Sequence, residues 1–373
     1  MKLKWLSFLF LLMFILACQQ STSTIEKFNG ALEKIRSTYV TDPSLKILSA
    51  QLSFSDKRYV LSGETTDKGA YDALLALADS LIGKGKWENR LILLPHPALG
   101  DSTRAIVQVS VANLREEPRH AAQLVDQNIM GRTLRLLKNE GGWYLVQTEY
   151  QYIGWMRRES FYRTDSVGLQ KWLNLPKVRV TAVFAIVRQR PDPYAIPVTD
   201  VVMNVLLIDK GRKGNWWYVQ TPDGRNGYIE SKNVTTEIVP RISADKIRME
   251  IVRTARKMMG FPYLWGGNSS EASDCSGFTQ TVFKANGIDL PRDARQQALI
   301  GVEIKPEVDF SNVFPGDLLF FGSPEKITHV AISLGGMEYI HQSGRVHINS
   351  FNPQSKVFNA YRKKTLQKIR RVL

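Results

Sequence analysis

Cysteine is nearly absent from this sequence: there are two in 373 residues, with only five histidines. Cys18 ends an amino-terminal hydrophobic run and is better explained by export than by catalysis, so Cys275 has no disulfide partner and no disulfide framework holds the fold. Long apolar runs are scarce as well. The run Trp5–Ala17 is too short to span a membrane, and with Lys2 and Lys4 before it reads as a secretory signal. Acidic residues are outnumbered, 35 Asp and Glu against 50 Lys and Arg, for a formal charge of +15. Removing Lys2 and Lys4 with the signal leaves about +13, a balance that suits an anionic partner. Nucleic acid is excluded as that partner, because the protein is exported, its basic residues are scattered and it has no nucleic-acid motif.

A lone thiol needs a reason, and the sequence around Cys275 supplies one. Ser273 or Asp274 is a good N-cap, Phe278, Val282 and Ala285 recur at helical spacing, and Gly287 is a stop, so a helix is predicted to begin at the cysteine. A thiol in that first turn meets unpaired backbone N–H groups and the positive end of the helix dipole, which favour thiolate. The plain alternative is a buried cysteine serving as a small hydrophobe.

A nucleophile also needs a base. Thr328–Leu334 reads as a strand, Gly335-Gly336 as a turn and Glu338–Gln342 as the returning strand. A hairpin centred on Gly335 sets His329 and His341 directly opposite each other, with Cβ atoms roughly 5 Å apart. One imidazole then takes the thiol proton while the other fixes its orientation. His347 falls on a further predicted strand outside this pair, and His96 reads as a linker residue. With the histidine pair committed to a thiol, no zinc set remains, and no metal or cofactor is expected.

The motifs Gly260-Phe-Pro-Tyr-Leu-Trp-Gly-Gly267, Asp274-Cys-Ser-Gly-Phe278, Leu290-Pro-Arg-Asp293, Pro315-Gly-Asp-Leu-Leu-Phe-Phe321, His329-Val-Ala331 and His341 together resemble the NlpC/P60 family of murein cysteine peptidases. The resemblance implies a papain-like α+β domain in which Cys275 is the nucleophile, His329 the base and His341 the orienting residue. It further implies that Tyr263 lies beside the nucleophile, assisting an oxyanion or positioning the thiol. A packed aromatic is the alternative for Tyr263.

The chain is read as multidomain. Residues 1–18 are a signal whose Leu-Ala-Cys ending resembles a bacterial lipobox, with Cys18 the lipidation site, and residues 19–24 are a polar tether. Residues 25–95 form a small α+β domain without visible chemistry. Trp143–Thr148 then recurs as Trp216–Thr221, 73 positions on, and the same offset aligns Leu114 with Val187, Pro118 with Pro191 and Gly154 with Gly227. These β-rich copies, at 104–163 and 178–238, resemble bacterial SH3-like barrels. Residues 243–373 are the peptidase domain, its basic tail a solvated face or final strand.

Paired SH3-like domains resemble a subgroup of γ-D-glutamyl-diamino acid peptidases in which the first barrel binds the free amine of the stem peptide. By that resemblance Glu117 and Tyr152 contact the amine, and Asp274, Ser276, Arg292 and Asp293 contact other substrate groups. Asp274 also serves as a helix cap, and Arg292 as an ordinary ion-pair partner. The implied function is hydrolysis of peptidoglycan stem peptides with a free L-Ala at the γ-D-glutamyl bond, in cell-wall turnover or recycling. The expected setting is a monomeric lipoprotein anchored in the outer membrane and facing the periplasm. The rival readings are a wall-binding lipoprotein scaffold, or amidase or acyl-transfer chemistry on the same fold.

Overall fold

The computed structural model describes residues 2–237 and 243–373, with side chains from Ser21 onward. The lipidation expected at Cys18 and the expected end of the second barrel at 238 lie outside the described residues. Two units are present, one comprising residues up to Gly100 with Gln151–Ile153, the other Asp101–Tyr150 with Gly154–Leu373.

In the first unit, strand Leu48–Ser55 pairs antiparallel with Arg58–Thr65, which pairs parallel with Trp87–Leu93. A parallel neighbour needs a crossover, and helix Lys68–Ile82 provides it. Asp67 caps that helix by accepting from the Ala70 N–H, and Ala70, Leu74 and Ala78 are its buried stripe. They share a core with Phe28 and Leu32 of helix Lys2–Tyr39 and with Leu52, Leu61 and Leu91 of the sheet. The expected polar tether differs in the structure: Ser21–Thr24 are helical, and Ser21 is buried. Serine and threonine cost a growing helix only about half a kcal/mol each, so the turns packed through Phe28 propagate back across them. Among the described residues, no helix is long and apolar enough to cross a membrane.

The second unit begins with two seven-stranded sheets, and the 73-residue offset runs through both. Val111–Arg115 becomes Phe184–Arg188, Leu124–Ile129 becomes Pro197–Val202, Thr133–Glu140 becomes Leu206–Lys213, and Ile153–Arg157 becomes Asn226–Glu230. Helix Ser166–Asn174 joins the two, capped by Asp165, and its Trp172 indole donates to the Gly131 carbonyl at 3.2 Å.

Next comes a six-stranded antiparallel sheet. Its order is Val302–Glu303, Leu366–Arg371, Leu318–Ser323, Lys326–Gly335, Glu338–Ser343, Arg345–Ser350. Phe278, Val282 and Phe283 of helix Cys275–Ala285, with Ile251 and Ala255 of helix Ala244–Lys257, pack on Leu318, Phe320, Val330, Ile332 and Ile340. The basic tail is a short helix, Ala360–Thr365, followed by an interior strand of this sheet. Arg371 ends that strand on the fully buried Asp317, at 2.7 Å.

Candidate active site

Helix Cys275–Ala285 starts where its cap dictates. The Asp274 carboxylate accepts from the Gly277 N–H at 2.7 Å and from the Gly266 N–H at 3.1 Å, tying the helix start to the loop before it. Gly277 permits this closeness, since a Cβ there would lie 2.1 Å from the Gly267 carbonyl oxygen. From Cys275 to Phe283 every residue is buried.

Burial changes the expected state of the thiol. Cys275 is only 8% exposed, and that burial, together with the Asp274 charge, pushes the thiol up to about 11. The N–H groups of Val330 and Ser276 and the Arg292 charge pull the other way. Desolvation thus opposes the helix terminus, which favours thiolate, and holds the thiol above its ordinary range in the resting protein.

The histidines meet, but in a different register from the one expected. Ile332 faces Ile340 and Ser333 faces Tyr339, because the hairpin turns beyond Gly335, which itself faces Glu338, and the pairing is displaced by two residues. His329 and His341 are therefore diagonal rather than opposite, within the reach of long side chains. His329 Nε2 lies 2.7 Å from His341 Nδ1, the rings edge to face. Directly opposite His341 stands His347, across a second hairpin. His341 Nε2 lies 3.0 Å from Asn349 Oδ1 and 3.2 Å from His347 Nε2. Burial and the Arg362 charge hold His329 well below the usual imidazole range. Burial and His347 take His341 down to about 3. Both rings are neutral, which a base requires. Sequence reasoning missed His347 and Asn349. The available signal was the symmetry of His341-Gln-Ser-Gly-Arg-Val-His347 about Gly344, whose φ is 77°.

Arg292 is buried in the interior, 1% exposed. Its guanidinium holds Asp274 through two bonds, at 2.6 and 3.1 Å, and reaches Ser276 Oγ at 3.0 Å and the Gly267 carbonyl at 3.3 Å. Its Nε lies 2.5 Å from Asp126 of the first barrel, a carboxylate that also accepts from the Tyr150 hydroxyl and the Asn268 amide. Burial raises Asp126, while the Arg292 charge and the Tyr150 hydroxyl draw it back down. Arg292, Asp274 and Ser276, which the resemblance also places at the substrate, form a buried clamp that fixes the cysteine helix to the first barrel. Asp126, Tyr150 and Asn268 are members that sequence reasoning did not single out.

The other expected site residues differ in exposure. Glu117 is exposed and paired with Arg119 at 2.8 Å. Tyr152 is buried in the segment that belongs to the first unit. Asp293 caps the short helix Ala294–Gln297 and pairs with Arg295 at 2.9 Å. Tyr263 is half-buried, and its hydroxyl is pushed upward by burial and by the Cys275 and Asp274 charges, so it stays a proton donor close to the thiol. Among the described residues, no group of His, Cys, Asp and Glu is arranged to hold a metal ion.

A cysteine-led helix on an antiparallel sheet, preceded by SH3-like barrels, defines a multidomain protein with a papain-like α+β domain. Residues 260–371 match the NlpC/P60 family, and residues 114–161 match the bacterial dipeptidyl-peptidase Sh3 domain. Dipeptidyl-peptidase 6 of Lysinibacillus sphaericus is 31% identical over 68% of this chain and 94% of its own length. The γ-D-glutamyl-L-lysine dipeptidyl-peptidase of Bacillus cereus is 28% identical over 60% of this chain and 68% of its own. A crystal structure of an NlpC/P60 family protein from Bacillus cereus shares the fold, with a TM-score of 0.62 at 23% identity over 72% of this chain and 99% of that one. The chain belongs to the NlpC/P60 family, and it is a peptidase.

Proposed function

We propose that this protein hydrolyses peptidoglycan stem peptides at the bond between γ-D-glutamate and a diamino acid, using Cys275, His329 and His341. The observation that carries this reading is the buried thiol at a helix start, packed in one core with Val330, the residue that follows His329 of the neutral histidine pair. Relatives named for the γ-D-glutamyl-L-lysine bond support the substrate class. Thiol and imidazole are both neutral at rest, so the proton passes from sulfur to His329 as the sulfur–carbon bond forms. His329 then protonates the leaving amine, and water hydrolyses the thioacyl enzyme. The Cys275 N–H and the Tyr263 hydroxyl are the donors for the oxyanion.

Glu117 and Tyr152 receiving a free L-Ala amine, and Asp293 contacting the stem, complete the reading. Acylation at Cys18 and an outer-membrane address facing the periplasm are its cellular setting. The test compares the protein with its Cys275→Ala variant on L-Ala-γ-D-Glu-diaminopimelate and on the same peptide N-acetylated, by mass analysis. Cleavage of the free-amine stem alone, lost in the variant, is the expected result. Equal cleavage of both stems removes the amine contact, and no cleavage of either overturns the reading. Incorporation of labelled palmitate, lost in Cys18→Ser, tests the anchor.

A further inference from the structure

Three imidazoles in series constrain one another. A neutral imidazole has one N–H and one lone pair, so the partner of any ring nitrogen decides the role of the other. The chain of constraint begins outside the expected triad, at a backbone carbonyl that can only accept. His347 Nδ1 lies 2.8 Å from the Arg345 carbonyl oxygen and must carry the hydrogen, which leaves its Nε2 as a lone pair. Asn349 donates through Nδ2 to the Val357 carbonyl at 3.2 Å, and its Oδ1 accepts from Asn359 at 3.1 Å. His341 Nε2 therefore faces two acceptors, Asn349 Oδ1 and His347 Nε2, and must carry its own hydrogen. Its Nδ1 is then a lone pair, so His329 Nε2, 2.7 Å away, is the donor.

We infer that His347, together with Asn349, is a positioning residue: the pair fixes the tautomers of His341 and His329 so that Nδ1 of His329 is left as the lone pair that takes a proton. No proton travels along the relay. When His329 becomes imidazolium it keeps its Nε2–H on His341 Nδ1 and gains a hydrogen on Nδ1, and His341 stays held in the accepting orientation. Without acceptors at its outer nitrogen, His341 is free to place its hydrogen on Nδ1. It would then face the His329 Nε2–H, turning an attraction into a clash of donors and forcing His329 into the tautomer with no lone pair at Nδ1. The groups that also face this cluster are Tyr339, beside His341, and Arg362 of the carboxy-terminal helix, whose charge acts on both His329 and His341.

This inference rests on the reading of Cys275 and His329 as nucleophile and base, but its first test needs no substrate. Long-range proton–nitrogen correlation spectra of the 15N-labelled protein, assigned with single His→Gln variants, give the tautomers directly. The expected pattern is Nε2–H for His329 and His341 and Nδ1–H for His347. Nδ1–H at His341 overturns the inference. In turnover, the double variant His347→Leu, Asn349→Leu is expected to lose about tenfold or more in kcat at unchanged KM, and His347→Gln, which restores an acceptor, to stay within about threefold. Undiminished kcat in the double variant overturns the positioning role. If the double variant does not fold, the spectra of the unsubstituted protein and the Gln variant still decide. Absence of cleavage by the unsubstituted protein, with the expected tautomers present, counts against the proposed substrate and leaves the relay standing.

Discussion

The two barrels share one strand grid yet meet the peptidase domain through different chemistry. The first presents Asp126, Glu149 and Tyr150, of which Asp126 holds Arg292 and Glu149 holds Lys284 at 2.5 Å. At the same places, 73 residues on, the second carries Thr199, Pro222 and Asp223. It reaches the domain instead through neutral groups: the Met203 N–H donates to Ser270 Oγ at 3.1 Å, and the Asn204 amide donates to the Thr281 carbonyl at 2.9 Å. Charge from one repeat is thus directed at both ends of the cysteine helix, through Arg292 at its start and at Lys284 in its last turn. The other repeat supports the middle of that helix through the Asn204–Thr281 hydrogen bond. A repeated scaffold has been divided into an electrostatic partner and a mechanical one.

The largest effect is expected at the clamp. Arg292→Met leaves Asp126 and Asp274 as buried carboxylates with no cation between them, and should lower unfolding stability by about 3–5 kcal/mol in denaturant titration. It should also raise the thiol above its value of about 11, because Arg292 is the cation that draws it down and Asp274 the anion that drives it up. Alkylation of Cys275 would then be slower at every pH below that midpoint. A midpoint that moves down would break the electrostatic half of the comparison. Next in size is a matched pair. Asp126→Ala removes the acceptor of Arg292, Tyr150 and Asn268 and should cost about 2–3 kcal/mol, whereas Thr199→Ala, its repeat equivalent, should stay within about 0.5. Similar losses at both sites would mean that the barrels are not differentiated.

Much of the fold was legible in the sequence, and what was not has a physical reason. Local chemistry was readable: the Asp274 cap, the helical stripe behind Cys275, the Gly335 turn and the strand repeat all depend on residues within a few positions of one another. The clamp joins Asp126 to Arg292 across 166 positions, and no periodicity signals such a pair. The histidine register slipped because the hairpin turns at Gly336-Met337 rather than at Gly335, which shifts the partner of His341 by two, and His347 lies across a second turn. The upward push on the thiol was hidden for a third reason: the helix terminus is visible in sequence, but the burial that opposes it is a property of packing.

Acid should reveal the neutral histidine pair, at a scale between the clamp and the single contacts. His341 falls from an ordinary 6.5 to about 3 on folding, so the unfolded chain takes its proton first as pH drops. Stability held at neutral pH is therefore lost progressively below about 6.5 and continues to fall toward 3. His341→Gln should flatten that stretch of the stability–pH curve, as measured by urea unfolding at stepped pH. Thr199→Ala should leave its slope between pH 6.5 and about 5 unchanged, since it removes no titrating group.

The smallest expected effect separates the turn in the second barrel from the contact it carries. Asn204 sits at a φ of 73°, and its repeat equivalent, Gly131, at 86°, so both copies need a left-handed residue at this corner. In the first copy the residue is glycine because a Cβ would lie 2.3 Å from the Leu206 carbonyl oxygen. In the second copy that space is open to a side chain, and asparagine both tolerates the conformation and reaches Thr281. Asn204→Gly keeps the turn and loses the bond to Thr281 with the longer 3.5 Å contact from Arg179, so it should cost about 1 kcal/mol. Asn204→Ala loses the bond and strains the backbone as well, and should cost roughly 1 kcal/mol more. Neither should move the alkylation midpoint of Cys275, because no charge changes. Equal losses for glycine and alanine would show that the contact outweighs the corner, and a shifted midpoint would make the second barrel a partner of the thiol after all.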